Sequence, residues 1–491
     1  LSENTALDEA LRLVDACYGR ISFRRAAMSK QEEYFGGKQP LTFATAEWKR
    51  KNAQRYSGFS DNWCGAVVNA ESERIRHTGV KIADSPEAAM VLHEQWLINE
   101  MDMQSSQGFV TTLTTGRSYV IVWGDTKTDE PLITWEHPMN VEIEYDWANP
   151  RLRVAALKTW VDDTKEYGTL YTADYVWKFE RSRASSADKF FSQAEQARQK
   201  GLGGGAWTPR AVGNEVWPLP NPIGEVPVVE IQNRPTLLGD PVSEIQGVMP
   251  MQDAINLLWA YLFLAADYAS MPARVVMNQA PPKIPVLDST GKKIGEKPVQ
   301  IDDLSEKRLL FLTGDAKVGQ WDAARLDVFT DTIDVAVAHI GSQTRTPPTY
   351  LVAKSGMSNV NADGLKASEI GLNKKVLEFQ TFTDPALREM YRLVALAKGD
   401  KELAKMCRLA HMDWMNPEIR SEAQLADALL KMKTMGFPLE YLMELYGLSP
   451  TEVERVLAMV DEQNTDPQLQ AALRPAQGQP GGVLNASPVG N

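Results

Sequence analysis

The sequence predicts an α+β chain, mainly helical, on three observations. Apolar residues recur at helical spacing over about the first 105 residues and again from Leu326 onward. From Gly116 the pattern changes to short alternating runs punctuated by Gly, Pro, Asn and Asp, the signature of strands and turns. The third is a pair of helical patterns flanking a loop that neither can absorb. In the first, Leu326, Phe329, Ile333, Val337 and Ile340 share one face; the second carries Leu365, Leu372, Val376, Phe379, Met390, Leu393 and Val394. Between them Pro347 and Pro348 remove two backbone donors and push the preceding residues out of helix, so the chain breaks there. The loop runs on through Gly356, Ser358, Asn359 and Asn361 to Asp363, which fits an N-cap. A loop this long inside a compact chain is functional or disordered.

With 491 residues the chain can bury a sizeable core and exceeds one ordinary domain. Its 43% hydrophobic and 24% charged content are those of a globular protein. A net charge of −12 argues against tight binding to a nucleic-acid backbone, which needs clustered Lys and Arg. It leaves room for a chain that touches DNA loosely and lets it move. Cys17, Cys64 and Cys407 are far apart, with neither metal-ligand spacing nor a disulfide framework, which predicts a reducing compartment. The opening LSENTALDEALRLVDACYGRISFRR reads as an amphipathic helix, not a signal peptide. The most apolar run, Ile255 to Ala266, is too short to span a bilayer and contains Asn256. It reads as a helix buried on nearly all sides by protein, and no membrane partner is expected.

Taken in order, the elements are as follows. A helix from Ala6 to Ala27 precedes a turn at Gly36, Gly37 and Pro40, then two helices split near Gly58 and Ser60, and more helix from Pro86. The runs RSYVIVWGD, PLITWEHP, NVEIEYDW, RLRVAALKTWVDD, EYGTLYTADYVWKFERS and VPVVEIQN read as strands. Ala184 to Trp217 reads as a flexible surface insertion. A turn from Pro235 to Pro241 leads into a helix from Ser243 to Ser270, kinked at Pro250. Val275 to Val318 is a small α+β excursion, with strands at RVVM, VQI and RLLFL and turns at PPKIP and STGKKIGEK. Helices follow at Glu402 to His411 and Ser421 to Met435, then PLEYLMELYG and SPTEVERVLAMVDEQ, the last with Ser449 as N-cap and Pro450 in its first turn. The end, from Asn464, is polar and Pro/Gly-rich, as expected of a disordered tail.

Motifs that carry chemistry are scarce. His77, His93, His137, His339 and His411 are scattered, and none belongs to a His-Glu-x-x-His or comparable arrangement. His339 lies within a helix, where packing or a surface position explains it. GLGGG at 201–205 is followed by no Lys-Ser or Lys-Thr, and TGDAKVG at 313–319 lacks the Walker spacing. No Gly-x-Ser-x-Gly elbow occurs. The pairs Asp162–Asp163 and Asp302–Asp303 fall in turns, where solvation accounts for them. No catalytic, cofactor-binding or metal-ligating residue is assigned, and no cofactor is expected.

The order of parts carries more. YFGGKQPL followed by NWCGAVVNAESERIRHTGVKI, the segment NRPTLLGDPVSEIQGVMPMQDAINLLWAYLFLAADYASMPARVV with its Gln-Asp-Ala-x-Asn helix, AHIGSQTRTPPTYLV with NADGLKASEIGLNKKV, and WMNPEIRSEAQLADALLKMKTMGFPLEYLMELYGLSPTEVERV occur in collinear order. Together they resemble the portal (head–tail connector) proteins of tailed bacteriophages, in the branch found in long-tailed phages of actinobacteria. Pro241 and Val242, interposed between Gly239–Asp240 and Ser243–Glu244, are a small departure from the family's pattern.

The resemblance implies a portal fold assembling into a ring, usually of twelve subunits, around a DNA channel. Residues 1–240 would be the wing, 241–271 a stem helix, 272–325 the clip and 326–343 the second stem helix. Residues 344–362 would be the tunnel loop, 363–398 a long wing helix, 399–462 upper-wing and crown helices, and 463–491 a tail. Thr349, Tyr350, Lys354, Ser355, Ser358 and Asn359 would then line the DNA channel. Lys283, Lys292, Lys293 and Lys297 in the clip would dock the adaptor and the packaging motor. Implied partners are further copies of the chain, the major capsid protein, the terminase large subunit, the head–tail adaptor, and double-stranded DNA passing without sequence preference. The implied place is a unique capsid vertex of the virion, assembled in the bacterial host cytoplasm, with ATP hydrolysis left to the terminase. Stem helices packed by neighbours on both sides would explain the all-round apolar run, and an acidic wall would keep the duplex from sticking. A helical nucleic-acid-processing enzyme and a channel-less virion scaffold are the alternatives.

Overall fold

The computed structural model describes residues 3–40, 59–83, 85–124, 130–162, 164–182, 205–213, 215–270, 274–277, 283–287, 289, 291–298, 309–312, 325–351, 362–418, 422–448 and 450–465. Helix α1 (Glu3–Phe35) runs past Ala27 because its apolar stripe continues: Ala10, Val14, Cys17, Ile21 and Met28 are all buried. Gly37, at φ +66°, ends it in the left-handed conformation that glycine adopts without strain. Helix α2 (Trp63–Ser72) starts at Asn62, whose side chain accepts from the Gly65 amide at 3.0 Å.

Strand β1 (His77–Lys81) interrupts a region whose pattern reads as helix. Helices α3 (Pro86–Ile98) and α4 (Met101–Thr115) follow, separated at Glu100, which takes φ 53°. Nine strands come next: β2 (Arg117–Gly124), β3 (Pro131–Glu136), β4 (Val141–Tyr145), β5 (Arg153–Val161), β6 (Lys165–Thr172), β7 (Tyr175–Ser182), β8 (Thr208–Pro209), β9 (Leu219–Pro220) and β10 (Val228–Gln232). They form one sheet in the order β10-β2-β3 and a second in the order β4-β5-β6-β7-β8, with β9 also on β7. The run EYGTLYTADYVWKFERS is thus two antiparallel strands, Tyr171 facing Val176 across the turn. The insertion expected at Ala184 to Trp217 is not wholly a surface feature. Residues 183–204 lie outside the described residues, but Trp207 is buried against the sheet, with Arg181 4.3 Å from its ring centre.

Helix α5 (Met249–Ser270) begins after a series of turns, later than Ser243, and Pro250 falls in its first turn, where a missing amide donor breaks no helical bond. No kink at Pro250 is therefore needed. Next come β11 (Arg274–Met277), β12 (Lys283–Leu287), β13 (Lys293–Pro298) and β14 (Leu309–Leu312). β11 and β14 pair in parallel, and β12 and β13 form an antiparallel hairpin. The turns expected at PPKIP and STGKKIGEK are displaced: Lys283–Leu287 and Lys293–Pro298 are extended, and the chain reverses between them. VQI at 299–301 lies outside the described residues.

Helix α6 (Asp327–Thr344), one helical turn α7 (Pro348–Leu351) and the 36-residue α8 (Ala362–Ala397) follow. Helix α9 (Lys401–Cys407) is shorter than the Glu402 to His411 helix expected, because His411–Trp414 leaves to form β15 against β1. Helices α10 (Glu422–Thr434), α11 (Leu439–Tyr446) and α12 (Pro450–Thr465) close the described chain; Ser449 and the tail from residue 466 lie outside it.

Helix α8 is common to two cores. One packs Leu92, Trp96, Val120 and Ile133 against Met390, Tyr391 and Val394. The other joins Val67, Phe109, Ile255 and Val337 to Val376 and Phe379. A third buries α1 on the larger sheet through Val14, Ile21, Leu157 and Phe179. Within one chain α5 is not enclosed on nearly all sides: Ile255, Ala260 and Leu262 are buried, while Leu257, Leu258, Trp259, Tyr261, Phe263 and Leu264 keep part of their surface open.

Candidate functional site at the junction of the central helices

Helices α5 and α6 lie against each other, and three polar residues fix where α5 begins. Gln252 accepts from the Trp63 amide at 2.8 Å and donates to the Asp61 carbonyl at 2.5 Å. Asn256 accepts from the Asp61 amide at 3.1 Å, and Asp253 accepts from the Tyr34 hydroxyl at 2.7 Å. The Gln-Asp-Ala-x-Asn stretch thus supplies partners for the start of α2, whose first amides have none within their own helix. It clamps α5 to the turn that follows α1.

At the opposite side of α2 lies a buried charge cluster. Lys375 on α8 places its ammonium 2.7 Å from Glu71 on α2 and 2.6 Å from Glu244, just ahead of α5. All three side chains are at most 2% exposed. The same ammonium donates to the Thr344 carbonyl at 3.1 Å, at the end of α6. Glu244 has further donors, Arg234 at 2.7 Å and Asn233 at 2.9 Å, whereas Glu71 shares only the lysine in this cluster. Burial accordingly pushes the Glu71 carboxyl up to about 7, with Lys375 opposing. Burial would lower the Lys375 ammonium, but the Glu71 and Glu244 carboxylates hold it above its ordinary value. One lysine therefore ties α2, the approach to α5, the exit of α6 and α8 together.

The exit of α6 is a defined turn. Arg345 takes φ 55°, Thr346 donates to the Gly341 carbonyl at 2.9 Å, and Pro348 opens α7. A methyl group on Gly341 would fall 2.7 Å from Leu351, so α6 and α7 approach as closely as glycine allows. Thr349 is exposed, and the Tyr350 hydroxyl accepts from Arg74 at 2.9 Å. Arg74 also reaches Glu369 at 3.1 Å, Asn373 at 2.7 Å and the Pro417 carbonyl at 3.1 Å. The break at Pro347–Pro348 is thus anchored to α8 on both sides. Lys354, Ser355, Ser358 and Asn359 lie outside the described residues, as does most of the loop expected at 344–362; its first part, Pro348–Leu351, is helical.

The β12–β13 hairpin brings Lys283, Lys292, Lys293 and Lys297 onto one exposed ribbon, with Glu296 between Lys293 at 2.6 Å and Lys283 at 3.8 Å. Val286, Leu287 and Ile294 on the same ribbon are exposed. His339 is exposed on α6, and His77 is buried against Tyr391 at 2.9 Å, its imidazole lowered to about 3 by burial. Burial raises all three thiols, Cys17 and Cys64 to about 12 and Cys407 to about 11, which makes them unreactive. Among the described residues no group of three His, Cys, Asp or Glu side chains could hold a metal ion, and no helix is long and apolar enough to cross a membrane.

Sequence reasoning did not find Glu71, Arg74, Glu244 or Lys375. A signal existed for one of them: Lys375 falls on the same helical face as Leu372, Val376 and Phe379, where a lysine needs a buried partner.

Comparison with known proteins adds the context. The family described as phage portal protein, SPP1 Gp6-like, matches residues 25–466. The chain is similar to the portal protein of Mycobacterium phage L5, 26% identical over 383 residues covering 75% of this chain and 71% of that one. It is also similar to the portal protein of Mycobacterium phage D29, 26% identical over 412 residues covering 81% and 78%. Among solved structures it is similar to a chain from the neck of a native gene transfer agent particle, with TM-score 0.41 and 13% identity over 87% of this chain and 99% of that chain.

Proposed function

Because the chain belongs to the SPP1 Gp6-like phage portal protein family, we propose that it forms a ring, of about twelve copies, at one capsid vertex. That ring would be the conduit through which double-stranded DNA is packaged and ejected. The observation that carries this reading is the collinear family match over residues 25–466. The part-covered α5 supports it, since a helix apolar on nearly all sides from Leu257 to Ala266 needs more cover than the described residues of its own chain supply. In a ring, α5 and α6 are the stem helices, flanked by neighbours on both sides.

In this reading residues 1–240 and α8 make the wing, 272–325 the clip, and α9 to α12 the upper wing and crown. The segment from Thr344 to Ala362 turns into the channel. Thr349, Lys354, Ser355, Ser358 and Asn359 face the duplex, while Tyr350 holds the entry of the loop to Arg74, and Lys354 contributes weak phosphate contacts without sequence preference. The β12–β13 hairpin, with Lys283, Lys292, Lys293 and Lys297 beside exposed Val286, Leu287 and Ile294, docks the terminase and later the head–tail adaptor. A two-stranded ribbon with exposed apolar residues has no core of its own and gains one from a partner. The chain performs no turnover itself; ATP hydrolysis belongs to the motor that docks on it.

Averaged images of the purified chain should show closed rings with a central hole. A monomer under all assembly conditions would refute the proposal, and outward-facing Thr349 in such a ring would refute the stem assignment.

A further inference from the structure

We propose that the outward face of α3 is a docking surface for a helix of another protein, one whose apolar stripe carries Lys or Arg. The proposal goes beyond the ring reading and does not depend on it. α3 is 13 residues long and packs inward through Leu92, Gln95 and Trp96. Its opposite side is apolar as well: Met90 and Val91 are each 37% exposed, Leu97 52% and Ile98 53%. A helix that is apolar on both sides needs cover on both, and its own chain covers one.

The exposed residues follow a seam. Glu87, Met90, Glu94 and Leu97 are spaced alternately three and four apart, with Val91 and Ile98 beside them, and all six are exposed. That spacing is how one helix meets another lying nearly parallel to it. The seam is also held in place before anything binds. Just past its end, Asn99 donates to the Pro131 carbonyl at 3.0 Å and accepts from the Ile133 amide at 2.8 Å. On the inner side the Trp96 indole donates to Asp102 at 3.0 Å. A helix face fixed in this way loses little freedom when a partner covers it.

Charge selects the occupant. Glu87 and Glu94 sit in the seam one heptad apart, and neither has an ion-pair partner among the described residues. No Lys or Arg occurs between Lys81 and Arg117, so neither α3 nor α4 supplies a cation. Covering the seam takes both carboxylates out of water, which is favourable only where the partner brings positive charge. The same seam of a second copy would bring none, and phosphate-rich surfaces such as DNA or an anionic bilayer would be repelled. The occupant is therefore a helix of another protein, about three turns or longer to match α3, with Lys or Arg opposite Glu87 and Glu94.

The probe is a labelled peptide of about three heptads, with Leu where it meets Met90 and Leu97 and Lys where it meets Glu87 and Glu94. Fluorescence anisotropy follows its titration with the full-length chain. It should bind about ten-fold tighter than the same peptide with Glu in place of Lys. Glu87→Lys with Glu94→Lys should reverse that order. Leu97→Asp with Ile98→Asp separates docking from general attraction. It adds two acids to an already acidic chain, so general attraction predicts tighter binding of the lysine peptide, whereas a docked seam predicts about ten-fold weaker binding. All four positions are exposed, and an unchanged unfolding midpoint shows that each variant is folded. Equal binding of the two peptides, an order that the charge reversal leaves in place, or tighter binding to the Asp variant overturns the proposal. Self-association lost in the Asp variant and kept in the wild type gives the seam to a second copy and overturns it too.

Discussion

Replacing Lys375 with Met tests whether the buried charge cluster holds the central helices in register. The substitution keeps the side-chain length but removes the ammonium that Glu71 and Glu244 share at 2.7 and 2.6 Å. Glu244 retains Arg234 and Asn233, so the loss falls on Glu71. An uncompensated buried charge costs about 3–5 kcal/mol. Glu71, pushed up to about 7 by burial even with the lysine in place, would take up a proton at neutral pH once the ammonium is gone, which limits the loss there. The penalty should therefore be largest near pH 8 and shrink toward pH 5, where protonating Glu71 becomes cheap. Urea unfolding of Lys375→Met, Glu71→Gln and the double variant at both pH values reads this directly. Glu71→Gln in the Lys375→Met background should recover most of the loss, because an amide needs no counter-charge. A cost below about 1 kcal/mol at pH 8, or one unchanged between the two pH values, would refute the reasoning.

In the wild-type chain Glu71 and His77 should pull stability in opposite directions with pH. Glu71 is held above its ordinary value, so its contribution is full below 4.5 and lost as pH rises through about 7. His77 is held down near 3 from 6.5, so its contribution is full above 6.5 and lost as pH falls toward 3. Unfolding midpoints across pH 5 to 8 should thus be flatter in the wild type than in Glu71→Gln, which should lose stability steadily on acidification. Arg74→Ala strips donors from Glu369 and Tyr350 and should cost about 3 kcal/mol, with faster tryptic cleavage after Arg345 as the local readout. Gly108→Ala would set a methyl carbon 2.0 Å from the Trp135 ring, itself held by a 2.8 Å bond to Ser118. A cost of about 3 kcal/mol or more is expected, and adding Trp135→Leu should give a double variant less damaged than the sum.

Periodicity made much of this fold legible, because it reports which face of a segment meets protein. The stripes of α1, α6 and α8 and the alternation of β2 to β7 are local properties, and each element forms where its pattern lies. The proline pair that ends α6 is equally local. So too is the collinear order of segments by which the chain resembles portal proteins, since order along a chain survives where individual contacts change.

Pairing between distant residues left no such trace. β1 and β15 are short strands that exist because each is the other's partner, so His77–Lys81 reads as the continuation of helices and His411–Trp414 as the end of one. The Gln-Asp-Ala-x-Asn stretch is visible in the sequence, but that it binds the turn before α2 is decided by the fold. The charge cluster is the clearest case. Glu71, Arg234, Glu244 and Lys375 come from four separate segments, and each alone is an ordinary charged residue. Only the tertiary structure removes Glu71, Glu244 and Lys375 from water together, and the cost of burying a charge, set against a partner less than 3 Å away, is a property of that shared environment.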